Sequence, residues 1–130
     1  MLRTTRSLGT LLLVALSGCA TQLAAIDGPA GRAELLRTAG TLSVRIDDGR
    51  AVSLNGLTDA HLVGILAVGE ERVAVVAGTA EGCQQAQALV IAPRTGDPRA
   101  LWLPDCDHTF TFAAAGTQLL ATHLHGNGAR

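Results

Sequence analysis

From Thr41 onward the chain alternates. In "TLSVRID", residues 41–47, Leu42, Val44 and Ile46 fall on one side and Ser43, Arg45 and Asp47 on the other, the period of a half-buried strand. "DDGR" and "AVSLNG" follow, so residues 41–55 read as a hairpin with Asp48-Gly49 at its turn. "HLVGILAVG" and "RVAVVAG" are joined by two glutamates and are apolar at successive positions, as strands covered on both faces are. "AQALVIAP" and "RALWLP" flank the turn residues Gly96 and Pro98. "HTFTFAAAG" alternates again, with Phe110 and Phe112 on one face, and "TQLLATHL" closes the series.

The pattern predicts an all-β domain: about eight short strands in an antiparallel meander, closed as a small sandwich or barrel. Its core is expected to be Val, Leu, Ile and Ala, with Trp102, Phe110 and Phe112 as the large members. The alanine-rich "FAAAGTQLLAT" also suits a helix. "LAVGEERVAVVAG" and "FAAAGTQLLATHL" echo one another as strand, glycine turn, strand, too short a likeness to make a repeat.

The first forty residues follow another pattern. Arg3 and Arg6 precede an apolar run, residues 8–16, and small residues follow it, which is the layout of an export signal. The run is too short to cross a bilayer, which takes about 20 residues. It ends in Leu16-Ser17-Gly18-Cys19, which resembles the lipobox of bacterial lipoproteins. The resemblance covers residues 1–19 only. It implies that Cys19 receives a diacylglyceryl group on sulfur, that cleavage before Cys19 makes it the first mature residue, and that its amine is acylated with a fatty acid such as palmitate. Two or more chains hold a protein stably where one holds marginally. Ala20 resembles the class sorted to the outer membrane, facing the periplasm. The competing reading is an ordinary cleaved signal with an incidental cysteine.

Gly28, Pro29 and Gly31 interrupt any regular element after Cys19, and "AELLRTA" suits two helical turns ending at Gly40. The expected division is a signal peptide over 1–18, an anchor and flexible or short-helical tether over 19–40, a β-domain over 41–125 and a frayed tail over 126–130.

Composition narrows the function. Without residues 1–18 the chain keeps 112 residues, with eight arginines against eleven acidic residues, a formal −3, and no lysine. It has one Trp, two Phe and no Tyr. Nucleic-acid binding needs clustered cations and stacking rings, so it is disfavoured. With Cys19 lipidated, Cys83 and Cys106 remain. An oxidising compartment normally bridges such a pair, and two thiols allow one pairing. A metal or redox pair is the alternative, but the spacing of 23 is not that of a CxxC site.

Three candidate sites remain. His123 and His125 point to one face if they lie on a strand, and a third ligand from His108, Asp107, Asp105 or His61 would complete a zinc site; solvent-facing imidazoles are the plainer reading. "PDCDH", residues 104–108, sets two carboxylates beside a histidine, the groups of acid–base chemistry, in what also reads as a turn pinned by Cys106. Asp47-Asp48-Gly49 lacks the further ligands of a calcium loop. The third candidate is a surface. Strands apolar on both faces leave an open edge or patch for a partner unless they close into a barrel. No cofactor is expected. The sequence points to a lipid-anchored envelope protein with a non-catalytic binding or structural module and an envelope partner. The alternative is a metal-binding or hydrolytic module using His108, His123, His125 and nearby aspartates.

Overall fold

Glycine turns set the strand pairing. Gly69 (φ 63°) opens the two-residue loop between β5 (Leu57–Val68) and β6 (Glu71–Ala80), and Gly116 (φ 63°) opens the one between β9 (Thr109–Ala115) and β10 (Gln118–His125). A glycine at the first loop position is the mark of a type II′ turn, whose twist matches that of the strands it joins. The two hairpins that echo each other in sequence thus turn alike. Their turns also meet: the Gly69 N–H donates to the Gly116 carbonyl at 2.7 Å.

The computed structural model describes residues 20–103, 106, 109–125 and 128–129. They form three antiparallel sheets. The first runs β1 (Thr21–Gly28), β2 (Gly31–Thr38), β3 (Thr41–Ile46) and β4 (Val52–Ser53); the second runs β5, β6, β7 (Cys83–Ala92) and β8 (Arg99–Trp102); the third runs β11 (Gly128–Ala129), β10 and β9. Among the described residues none of the sheets closes on itself. The arrangement is a sandwich and not a barrel. No helix of the described residues is long and apolar enough to cross a membrane.

The middle sheet has two apolar faces, as its sequence requires. Ala74, Val76, Ala88 and Val90 pack against Ala33, Leu35, Val44, Ile46 and Leu54 of the first sheet and its following loop. The alternate residues Val73, Val75 and Leu89 form a second cluster, covered by Phe112 and Leu119 of the β9–β10 hairpin. Period-two alternation sends neighbouring side chains to opposite faces, so β6 and β7 feed both clusters.

Several expectations need correction. Residues 20–40 are not a tether. They form the β1–β2 hairpin, with Gly28-Pro29-Ala30-Gly31 as its turn, and Ala33, Leu35 and Leu36 are buried. Pro29 and its glycines interrupt the strand because they are the turn, and "AELL" buries successive residues within a sheet, not along a helix. The sheet therefore includes β1 from Thr21, and among the described residues the expected eight strands of residues 41–125 are joined by β1, β2 and β11 outside that range. "FAAAGTQLLAT" is the strand, glycine turn and strand of its first reading, and not the helix it also suits. The large aromatics are not the heart of the core: Trp102 is 41% exposed on short β8 and Leu101 beside it is 51% exposed, whereas the fully buried large side chains are Leu35, Leu54, Val44, Val76 and Val90. The expected hairpin over 41–55 is present, with Ser43 facing Ser53 and Val44 facing Val52, but its loop spans 47–51 and not the Asp48-Gly49 pair alone.

Candidate functional site

The β9–β10 hairpin lies on the middle sheet and is fastened at both ends. At one end are the Gly69–Gly116 bond and the Val68, Val73, Phe112 and Leu119 cluster. At the other, Cys83 at the start of β7 is bridged to Cys106, with Cα atoms 5.1 Å apart. Between these, Gln87 reaches up from β7. Its side-chain N–H donates to the Phe110 carbonyl at 3.0 Å and its side-chain carbonyl accepts the Phe110 N–H at 2.9 Å. An amide side chain here does what a neighbouring strand would do. The Thr109 hydroxyl donates to the Gln85 side-chain oxygen Oε1 at 2.8 Å.

The fastening is incomplete on the β5 side, and a cleft opens there. Two register shifts in β5, between Thr58 and His61 and between Leu62 and Gly64, throw Val63 outward, where it is 56% exposed. The cleft holds about 480 Å³ and is lined by Val63, Leu66, Val75, Ala77, Phe110 and Phe112, with Gln87 at its floor. A second depression of about 310 Å³, lined by Asp59, His61, Thr79 and Gln85 among others, shares His61, Ala77, Gln87 and Thr109 with it. The amide of Gln87 is already spent on the Phe110 backbone. The cleft left for a guest is therefore mostly apolar, with the polar side chains of His61, Thr109 and Thr111 about it. Such a surface suits apolar side chains or an extended segment laid along β5.

Of the predicted site residues, His61, His123 and His125 lie on described strands. His61 is exposed on β5 at the mouth of the cleft. His123 and His125 lie on β10, where His123 faces Phe110 and His125 faces Gly128 in the backbone register. Asp105, Asp107 and His108 lie outside the described residues, so the expected acid–base group at residues 104–108 does too. Among the described residues no three His, Cys, Asp or Glu side chains gather as metal ligands.

Asp47, singled out beside Asp48-Gly49, is a structural tie. It accepts the Arg32 N–H at 3.0 Å, returns its own N–H to the Arg32 carbonyl at 2.7 Å, and pairs with Arg72 of the middle sheet. The depression of about 430 Å³ beside it also holds Arg50 and Asp97, which face each other at 3.8 Å, so with the Asp47–Arg72 pair its arginines are both matched and Asp48 is the one acid left over.

Sequence reasoning missed Gln85 and Gln87. The signal was there: "CQQAQALV" places polar amides in an otherwise apolar strand, and a buried amide must find partners. The exposed edge of β8, with Leu101 and Trp102, and the cleft beside β5 are the leftover apolar surfaces that two-faced strands lead one to expect. No protein-family model, no curated protein and no solved structure matches this chain.

Proposed function

We propose that the chain is a lipid-anchored protein of the bacterial cell envelope. Acyl groups on Cys19 hold it, by the character of Ala20, at the outer membrane facing the periplasm, and its disulfide-stapled β-domain is a non-catalytic binding or structural module. The observation that carries this reading is the Cys83–Cys106 bridge. It supports export to an oxidising space, where such pairs persist. It also occupies two of the three cysteines, which leaves Cys19, in its lipobox-like setting, as the thiol available for a thioether. The apolar cleft and the exposed Leu101 and Trp102 support a module that binds a component of the envelope.

The test is metabolic labelling with a radioactive fatty acid in a bacterial host, followed by membrane fractionation. The native chain is expected to take up label and sediment with outer-membrane vesicles. Cys19→Ser is expected to take up none and to stay at precursor size. Label in Cys19→Ser, or a native chain that stays unlabelled and soluble after cleavage, overturns the anchor.

A further inference from the structure

If, as proposed above, Cys19 is acylated, the geometry of β1 limits how the domain can sit. Cys19 stands two positions before Thr21, and Thr21 is the first residue of β1. Two Cα–Cα steps reach at most about 7 Å. From Thr21 facing Arg37 to Gly28 facing Gly31, β1 is paired with β2, so the strand holds no slack. A domain joined to the bilayer through one intervening residue cannot stand clear of the headgroups. We propose that the Thr21 end of the first sheet, comprising residues 21–23, Arg37 opposite Thr21 and the β2–β3 turn that follows through residue 41, is a membrane-contact surface seated on phospholipid headgroups.

The composition of that end fits a lipid surface. Leu23 is bulged out of register between Gln22 and Ala24 and is 45% exposed, an apolar side chain four positions from the anchor. Arg37 is exposed and, like Arg99 on β8, makes no ion pair among the described residues, whereas Arg32, Arg45, Arg50, Arg72 and Arg94 are each paired with an acid. A free arginine within a Debye length of anionic headgroups is attracted to them, and its stem covers apolar surface while the guanidinium stays at the interface. Residues 21–23 and 37–41 contain no acid. The acids Asp27, Asp47 and Asp48 stand at the opposite end of the sheet, by the β1–β2 turn and the loop after β3. The end nearest the anchor is thus the end a membrane repels least. The cleft beside β5 and the β9–β10 hairpin belong to other layers and stay free for a soluble partner.

Depth-dependent quenching tests this. Lipidated protein, its acyl groups verified by intact mass, is placed in vesicles of phosphatidylethanolamine and phosphatidylglycerol with brominated chains. In a Trp102→Phe background, an indole is introduced by Leu23→Trp or, as the reference, by Leu120→Trp on the hairpin across the middle sheet. Bromine is expected to quench the Leu23→Trp protein several-fold more than the Leu120→Trp protein, and Arg37→Glu is expected to weaken that quenching. Hydrogen exchange on the unsubstituted protein is expected to slow at residues 21–23 and 37–41 when vesicles are present. Equal quenching and unchanged exchange in a protein that carries its acyl groups overturn the contact surface and leave the anchor standing. A mature protein without acyl groups overturns both.

Discussion

Gln87 holds Phe110 as a strand would. One buried side-chain amide, 4% exposed, gives and takes a hydrogen bond with the backbone of a residue 23 positions away. This bond pair and the disulfide are the polar and covalent halves of one fastening, and they fix where the β9–β10 hairpin sits over the middle sheet.

Gln87→Leu fills a similar volume but removes both hydrogen bonds to the Phe110 backbone. Each such bond contributes about 0.5–1.5 kcal/mol, and that loss is expected in urea unfolding. Amide exchange is expected to quicken in β9 and β10 and not in β2 or β3. Exchange that quickens evenly over the chain contradicts the local role.

Cys83→Ala and Cys106→Ala break the same bond. Each is expected to cost about 3 kcal/mol by loop entropy, and the double variant no more than either single one. Unequal single losses, or losses that add, contradict a shared bridge.

Placing residues 20–40 inside the domain has a direct consequence. Leu35 is 2% exposed within the first core cluster, and Leu35→Ala is expected to cost about 2–5 kcal/mol. Leu23→Ala, on an exposed bulge, is expected to change stability by less than about 0.5 kcal/mol. Equal, negligible effects at both positions suit a tether and contradict the hairpin.

At Gly78 the bulge in β5 crosses β6 closely: a Cβ there would stand 2.7 Å from the Thr58 carbonyl and 3.1 Å from the Ala60 Cα. Gly78→Ala forces backbone apart and is expected to cost about 1–3 kcal/mol, with altered exchange at Thr58 and His61. A neutral Gly78→Ala contradicts the close crossing.

The sequence was most legible where alternation or unbroken apolar runs were long. β3, β6 and β7 follow from Val, Leu and Ile placement alone, and the two-faced character of the middle sheet was readable because Val73, Val75 and Leu89 stand between Ala74, Val76, Ala88 and Val90. The pairing of Cys83 with Cys106 followed from counting thiols. The β1–β2 hairpin was hidden because "AELL" offers three apolar residues at a spacing that a helix also satisfies, and because Gly-Pro-Ala-Gly marks an interruption without saying that a strand resumes after it. Trp102 was misplaced for a related reason: size argues for the core, but a four-residue edge strand cannot cover it. A leftover apolar surface was legible from the two-faced strands, but its place beside β5 was not, since it follows from register shifts in β5 that no local pattern announces.

The anchored, exported state is tested most directly by the intact mass of the mature protein extracted from native membranes without reducing agent. The expected mass is that of a chain beginning at Cys19, increased by a diacylglyceryl group and an N-acyl chain and lowered by the two hydrogens lost in forming the Cys83–Cys106 bond. A mass matching an unmodified amino terminus, or one retaining both thiol hydrogens, contradicts it.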